Sequence, residues 1–214
     1  MRSSVHIAVP AISGFAAASL SFIATAGAQG LDPASVSETR EAIFAGGCFW
    51  CVESDFDKFD GVVETISGYA GGNTQNPTYK DVTYGDTGHY EAVKIVYDPS
   101  RVSYEELVSH FFRTIDPTDD TGQFCDKGDS YRTAVFTSSL EQLSVARAEI
   151  RAIDQSGVLP EAVVTKVVED AAFYPAEDYH QDYYQKNPLR YKFYREACGR
   201  DKRVEELWGA DVSG

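Results

Sequence analysis

Positive charge is scarce in this sequence of 214 residues. Lysine and arginine together number 19, against 33 aspartates and glutamates, and the net charge at neutral pH is −14. Nucleic-acid binding requires a basic face, so this balance argues against that class of function. It also removes any attraction to an anionic membrane surface, and the charge is interpreted as a solvated, soluble exterior.

Cysteine and methionine are also scarce, with four and one respectively, whereas there are 13 tyrosines and 12 phenylalanines. The aromatic excess predicts a core lined by rings. Only one C-x-x-C pair occurs, at Cys48 and Cys51, and Cys125 and Cys198 are distant single cysteines. This is poor zinc spacing, so we expect no metal and no other cofactor. The length and the 43% hydrophobic content predict one globular domain with a sizeable core.

A long apolar run occurs only near the amino terminus, at residues 7–23. The small-residue segment AGA follows at 26–28, so residues 1–28 are predicted to be a secretory signal peptide cleaved near Ala28. A permanent membrane anchor is the less favoured alternative, because serine and glycine dilute the run and no stop-transfer pattern follows. Export, predicted to the periplasm, places the cysteines where disulfides form, and four cysteines allow three pairings.

The chain after the leader predicts an arm and then one domain. Residues 29–41 are polar and contain proline, which indicates a flexible arm, and the domain is predicted to span 42–214. Apolar periodicity predicts strands at 42–45, 62–68, 91–97, 131–137 and 163–168, and helices at 48–59, 103–112 and 139–153, before a helical, aromatic carboxyl-terminal region. This order favours an α+β fold, a two-layer sandwich of helices on a mixed sheet with a ferredoxin-like core, over a doubly wound sheet.

The stretch GGCFWC at 46–51 places two cysteines around two large aromatic residues, directly after two glycines. If a helix begins near Cys48, the thiol lies at the helix N-terminus, where free N–H groups and the helix dipole favour the nucleophilic thiolate. Cys51 lies one helical turn later and can reach Cys48, so a structural disulfide is an equal alternative. Phe49 and Trp50 either pack in the core or form an apolar wall beside the nucleophile.

Further short motifs follow this stretch in a fixed order: GCFW at 47–50 with VE at 52–53, GYAGG at 68–72, PTY at 77–79, TGHYE at 87–91, YDP at 97–99, DPT at 116–118, YRT at 131–133 and AEDYHQ at 176–181. Together they resemble the peptide methionine sulfoxide reductase A family. The resemblance covers about residues 42–190, and it rests on several separate motifs rather than on one.

The resemblance implies a peptide-methionine (S)-S-oxide reductase that acts on oxidised methionine in proteins and on free methionine sulfoxide. A sulfoxide sulfur is electrophilic only when its oxygen is protonated or strongly hydrogen-bonded, so the site needs a thiolate, an acid and an apolar seat for the S-methyl group. The implied roles are nucleophile for Cys48, acid for Glu91, hydroxyl donors for Tyr79 and Tyr131, a supporting carboxylate for Asp126, and the methyl pocket for Phe49 and Trp50. Glu91 must stay protonated near neutral pH, which an apolar, ring-lined pocket favours.

The implied cycle leaves Cys48 as a sulfenic acid, which a second thiol converts to a disulfide, and a thioredoxin-like dithiol then reduces that disulfide. Many family members have glycine where this chain has Cys51, and they use a cysteine near the carboxyl terminus, here Cys198. Cys51 is the preferred resolving thiol because it is one helical turn from the nucleophile, and Cys198 stays open as the resolving thiol or as a relay. Cys125, beside Asp126, is either an inert small residue or a third redox thiol.

Two other interpretations use the same cysteines. A thioredoxin-like disulfide oxidoreductase would suit C-x-x-C at a helix start, but its aromatic residues would precede the cysteines instead of separating them. A zinc or structural disulfide protein would use all four cysteines. Glu177 and His180 form E-x-x-H on an expected helix, but without a third ligand a hydrogen-bonded structural role is predicted for them.

Overall fold

The structure, a computed structural model, describes residues 38–209. The predicted signal peptide and the arm as far as residue 37 lie outside the described residues. Between residues 38 and 209, no helix combines the length and the apolar composition that crossing a bilayer requires.

Strands and helices are mixed along the described chain, and its last three elements are helices. The strands are β1 Arg40–Gly46, β2 Val62–Ala70, β3 Tyr90–Tyr97, β4 Gly122–Gln123, β5 Asp126–Lys127, β6 Thr133–Thr137, β7 Lys166–Glu169 and β8 Phe173–Pro175. The helices are α1 Phe49–Phe56, α2 Tyr79–Tyr84, α3 Tyr104–Arg113, α4 Leu140–Ser156, α5 Tyr183–Lys186, α6 Pro188–Cys198 and α7 Arg200–Trp208. Each predicted strand and helix has a counterpart except the helix expected at Glu177 and His180, because these residues precede α5 in non-helical backbone. The elements α2, the β4–β5 hairpin and β8 were not predicted.

Six of these strands form one mixed sheet in the order β7-β6-β1-β3-β2-β8, and β4 and β5 form a separate hairpin. β6 and β7 pair in parallel, whereas the other neighbours in the sheet pair antiparallel. The α+β class with a mixed sheet is therefore confirmed.

Helices α1, α3 and α4 pack against one face of this sheet, and their buried side chains join those of the strands in one large cluster. Phe44 of β1 is fully buried and stacks on Phe56 of α1 and on Phe111 of α3, with ring centres 5.4 and 4.8 Å apart. Full burial of one such ring stabilises the fold by about 1.5–3 kcal/mol. The packing fixes the position of α1, and with it the cysteine-bearing turn, on the sheet.

The register of the central strands brings the candidate site together. β1 pairs antiparallel with β3, with Phe44 opposite Val93, so the end of β1 lies next to the start of β3, where Glu91 is located. The predicted strand at 131–137 begins only at Thr133, because residues Asp129–Tyr131 form a 3₁₀ turn. Tyr131 therefore lies in a turn before β6.

Candidate active site

Cys48 is the residue immediately before α1, at the turn where β1 ends. Gly47 has a φ of +81°, a left-handed conformation that glycine adopts without strain. The main-chain N–H of Phe49, the first helical residue, donates to Glu91 Oε2 at 3.1 Å, and the Cys48 side chain makes no capping hydrogen bond. The start of the helix therefore binds the Glu91 carboxyl and not the Cys48 sulfur.

Cys48 and Cys51 are free thiols, only 6% and 2% exposed, and they hydrogen-bond to each other. Burial, followed by the contact with Cys51, raises the pKa of Cys48 well above its ordinary value. The same hydrogen bond lowers the pKa of Cys51. The expectation that the helix start lowers the pKa of Cys48 is therefore wrong for this arrangement, and the pair favours its negative charge on Cys51.

Glu91 on β3 is only 2% exposed, although a glutamate on an alternating strand usually faces solvent. Burial raises the pKa of its carboxyl from 4.5 to about 8, against the opposing effect of the Phe49 N–H. The negative charge of Asp126 adds to the rise. The carboxyl is therefore mostly protonated at neutral pH and can donate a proton, which is the state that the expected acid role requires.

Tyr79 and Tyr131 bring two hydroxyl groups to Glu91. The two hydroxyls hydrogen-bond to each other, and that of Tyr131 also hydrogen-bonds to Glu91. Burial, and then the charge of Glu91, raises the pKa of both phenols, so both stay protonated as donors. Tyr79 is the first residue of α2, and its main-chain N–H donates to Glu177 Oε1 at 2.9 Å, which fixes the start of that helix.

These groups line one small cavity of about 90 Å³. The lining side chains are Cys48, Phe49, Trp50, Tyr79, Glu91, Asp126, Tyr131 and Tyr194. The cavity thus brings together the predicted nucleophile, acid, hydroxyl donors, supporting carboxylate and methyl-pocket residues. The two candidate resolving thiols do not line it.

The aromatic residues between the cysteines form the apolar wall of this cavity. Phe49 is 1% exposed and Trp50 is half-buried. The indole of Trp50 stacks on Tyr183 of α5, with ring centres 3.7 Å apart and planes 8° apart. The wall is therefore held in place by the carboxyl-terminal helices.

Family comparison places this site in a known context. The model of the family "Peptide methionine sulfoxide reductase" matches residues 40–212. The chain belongs to this family.

Relatives of this family are similar over most of the chain. The identity to peptide methionine sulfoxide reductase MsrA 2 of Rhizobium meliloti is 55% over 177 residues, which cover 83% of this chain and 87% of that protein. The identity to peptide methionine sulfoxide reductase MsrA/MsrB of Vibrio cholerae is 51% over 183 residues, which cover 84% of this chain and 48% of that protein. The chain thus spans about half the length of the Vibrio relative.

Two solved structures of the family share the fold. Methionine sulfoxide reductase A of Corynebacterium diphtheriae superposes with a TM-score of 0.63 at 34% identity, covering 71% of this chain and 76% of that chain. The reduced form of Mxr1 from Saccharomyces cerevisiae also has a TM-score of 0.63 at 34% identity, covering 70% and 86%.

Tyr194 of α6 is a site residue that the sequence motifs missed. Its hydroxyl donates to Asp126 Oδ2 and also hydrogen-bonds to Cys48, so it bridges the thiol and the carboxyl. Burial raises the pKa of Asp126, with the Tyr194 hydrogen bond opposing this rise. The sequence contains 13 tyrosines, and nothing in its pattern distinguishes this one.

Cys125 and Cys198 form a disulfide that joins the turn between β4 and β5 to the end of α6. Their sulfurs lie 3.8 and 3.9 Å from the carboxylate oxygens of Asp126. Within residues 38–209, the only side-chain grouping with metal-ligand geometry is formed by these three residues, and its two sulfurs are bonded to each other. Cys198 is therefore held by Cys125, while Cys51 is free.

Glu177 and His180 support the cavity walls through hydrogen bonds. Glu177 accepts from the Tyr69 hydroxyl and from the Tyr79 N–H, both at 2.9 Å. His180 Nδ1 accepts from the indole N–H of Trp50 at 3.1 Å, and burial lowers the pKa of this imidazole, which favours the neutral, accepting form. The predicted hydrogen-bonded role of this pair is confirmed.

Proposed function

We propose that this chain is a peptide-methionine (S)-S-oxide reductase that repairs oxidised methionine in proteins and also reduces free methionine sulfoxide. The cavity that joins the free thiol of Cys48, the protonated carboxyl of Glu91 and a wall of aromatic rings carries the proposal. Relatives at 51% and 55% identity bear the name of this reductase, which supports it.

The cavity offers a separate partner for each part of a methyl sulfoxide. The oxygen faces the protonated Glu91 and the hydroxyls of Tyr79 and Tyr131, which act as preorganised donors to the negative charge that develops there. The S-methyl group packs against Phe49 and Trp50. In this orientation the electrophilic sulfur faces Cys48.

The first step transfers the oxygen atom. The proton shared by the two cysteines moves to Cys51, and the Cys48 thiolate attacks the sulfoxide sulfur while Glu91 protonates the oxygen. The attack joins the two sulfurs. The hydroxyl then moves from the substrate sulfur to the Cys48 sulfur as the sulfur–oxygen bond of the substrate and the new sulfur–sulfur bond break, so methionine leaves and Cys48 becomes a sulfenic acid. The methionine sulfur gains two electrons, and the Cys48 sulfur loses two.

We assign the second step to Cys51. This thiol is free and hydrogen-bonded to Cys48, whereas the rival Cys198 is bonded to Cys125, and these observations support the assignment. The Cys51 sulfur attacks the Cys48 sulfur, the proton of Cys51 leaves with the sulfenic oxygen as water, and a Cys48–Cys51 disulfide forms.

A thioredoxin-like dithiol then reduces this disulfide and returns both thiols. The chemistry needs only cysteine sulfur and protons, so no metal or other cofactor is part of the proposal. The proposed location is the periplasm, because of the apolar segment within residues 1–28 and the cleavage motif near Ala28.

Single-cysteine variants test the assignment with a peptide that contains one methionine sulfoxide of defined configuration. With thioredoxin as the only reductant, Cys48→Ser should show no turnover, Cys51→Ser should release one methionine per enzyme, and Cys198→Ser should turn over repeatedly. The (R) peptide should not react. Cys125→Ser is the matched control for Cys198→Ser, because each breaks the same disulfide.

The opposite outcomes are equally clear. Activity in Cys48→Ser would overturn the mechanism, and repeated turnover in Cys51→Ser with a single turnover in Cys198→Ser would move the resolving role to Cys198. Rapid reduction of a protein disulfide, without reaction of the sulfoxide, would favour a thioredoxin-like disulfide oxidoreductase instead.

We also propose a ferredoxin-like core for the sheet. The order of β6, β1, β3 and β2 across the sheet, with α1 between β1 and β2 and α3 between β3 and β6, supports this classification. An experimental structure with a different order of these four strands would refute it.

A further inference from the structure

A buried arginine contacts the end of the strand that leads into both reacting cysteines. Arg200 of α7 is 2% exposed, and its Nη1 donates to the carbonyl of Gly46, the last residue of β1, at 3.1 Å. Its guanidinium lies over the ring of Phe124, 4.8 Å from the ring centre. Among residues 38–209, Nε and Nη2 have no hydrogen-bond partner, and Nε is 3.6 Å from Asp55 Oδ2. A buried cation with two unused donors is costly unless it stabilises an anion.

A second arginine approaches the same side of α1. Asp55 follows Cys51 by four residues, so the two side chains lie on one face of the helix. Arg195 of α6 donates to Asp55 Oδ1 at 2.7 Å and to the hydroxyl of Tyr191 at 2.9 Å, and Tyr191 packs in one buried cluster with Cys51. This face of α1 therefore meets two guanidinium groups.

The two arginines differ in how fully they are neutralised. Besides Asp55, Arg195 binds Asp201 through Nε and Nη2, at 2.6 to 3.1 Å, so two carboxylates surround it. The nearest carboxylate oxygen to Arg200 is Asp55 Oδ2, 3.6 Å from its Nε, and the charge of Arg200 also acts on the more distant Asp126 and Asp201. The positive charge of Arg200 is therefore less fully neutralised than that of Arg195, and it lies on the side of the helix where Cys51 lies.

We propose that Arg200 is a positioning residue for the resolving step, whose buried guanidinium stabilises the Cys51 thiolate that attacks the Cys48 sulfenic acid. This proposal rests on the assignment of Cys51 as the resolving thiol. The sulfur–sulfur bond forms as the sulfur–oxygen bond of Cys48 breaks, and the oxygen leaves as water with the proton that Cys51 gave up. The sulfenic acid is the oxidant, so no other co-reactant is needed.

The charged neighbours of Cys51 set the direction of each effect. After the hydrogen bond with Cys48, the charges of Arg200 and Arg195 lower the pKa of Cys51, whereas burial and the charge of Asp55 raise it. Because disulfide formation requires the thiolate, its rate follows the thiolate fraction of Cys51. The titratable and charged groups around this thiol are Cys48 and Asp55 from its own segment, Glu91 from β3, Tyr191 and Arg195 from α6, and Arg200 from α7.

Titration of a single thiol tests the proposal directly. In a Cys48→Ser background without added reductant, Cys51 is the one free thiol, because Cys125 and Cys198 are bonded. Its midpoint is measured by thiolate absorbance at about 240 nm and by the pH dependence of alkylation with iodoacetamide. Adding Arg200→Gln should raise the midpoint by about one pH unit.

Three matched variants separate charge from packing. Lys202→Gln removes the same charge from an exposed position on α7 and should leave the midpoint unchanged. Arg200→Lys keeps the charge without the planar fork and should give an intermediate midpoint. Asp55→Asn removes the opposing anion and should lower the midpoint. Damage to the fold cannot produce opposite shifts of this kind.

A kinetic readout uses the intact cysteines. In a single turnover with the sulfoxide peptide below the midpoint, Arg200→Gln should slow disulfide formation about tenfold relative to methionine release, so that a sulfenic acid accumulates and is trapped by dimedone. Equal slowing of both steps, or an unmoved midpoint, would overturn the proposal. If Arg200→Gln does not fold, unmoved midpoints in Arg200→Lys and Asp55→Asn overturn it. Repeated turnover in Cys51→Ser refutes the resolving assignment separately.

Discussion

Replacement of Glu91 by glutamine should remove the catalytic acid and one pH-dependent part of the stability. The free energy of unfolding of Glu91→Gln, relative to that of the parent, should therefore rise with pH. Burial moves the pKa of this carboxyl from 4.5 to about 8 in the folded chain. Between these values, the folded chain keeps a proton that the unfolded chain has lost, so the free energy of unfolding falls as the pH rises. The stabilising contribution is complete below pH 4.5 and is lost by about pH 8.

The size of the effect follows from this window. Each pH unit inside it changes the free energy of unfolding by about 1.4 kcal/mol, so the whole window corresponds to about 5 kcal/mol. Glutamine cannot ionise, and its carbonyl can still accept from the Phe49 N–H. The stability of Glu91→Gln relative to the parent should therefore rise by about 3 kcal/mol between pH 5 and pH 7.5.

Denaturant unfolding of both proteins at several pH values measures this difference. Glu64→Gln, the same substitution at an exposed position on β2, is the control and should show no such trend. Reduction of the sulfoxide peptide by Glu91→Gln should fall by about 10²–10⁴-fold, the usual contribution of a positioned acid. A stability difference that does not change with pH would refute the protonated carboxyl, and near-parental activity would refute its role as the acid.

Three further predictions concern other parts of the structure. Cys125→Ser opens the disulfide across a separation of 73 residues and should lower the free energy of unfolding by about 4 kcal/mol, which unfolding without reductant measures. Gly47→Ala places a Cβ 2.5 Å from the Gln123 Cβ, whereas a Cβ at Gly128, also at positive φ, meets nothing within 4 Å. Thermal unfolding should therefore show Gly47→Ala to be less stable than Gly128→Ala by about 1–3 kcal/mol. Trp50→Phe keeps an aromatic side chain but loses the hydrogen bond from the indole N–H to His180. KM for the peptide should therefore rise about fivefold, with little change in kcat, in steady-state kinetics.

Sequence patterns predicted the elements that are long enough to show a period. β3 is eight residues long, with no exposed residue, and α3 begins with the predicted capping box, in which Ser103 and Glu106 each bond to the main chain of the other. The helix α2 has only six residues, and β4, β5 and β8 have two or three each. Elements this short show no measurable periodicity, although Thr78 and Asp81 do form a capping box at the start of α2.

The ordered motifs predicted every lining residue of the cavity except Tyr194, but they did not predict its charge state. Whether Cys48 is a thiol or a thiolate depends on burial and on which group binds the first helical N–H, and that group, Glu91, is 42 residues away along the chain. The pairing of Cys125 with Cys198 depends on where α6 ends relative to the β4–β5 turn. Such long-range placement leaves no local pattern in the sequence.

The burial of the reacting cysteines affects the reduction of their disulfide by another protein. Cys48 and Cys51 are less than a tenth exposed, and they form one buried cluster with Tyr183 of α5 and Tyr191 of α6. Disulfide exchange requires the attacking sulfur to contact a target sulfur, so we expect a protein dithiol to reach Cys51 only when the packing around it opens locally. We therefore expect the steady-state rate with a protein reductant to depend on the local stability of the carboxyl-terminal helices as well as on the chemistry of the cavity.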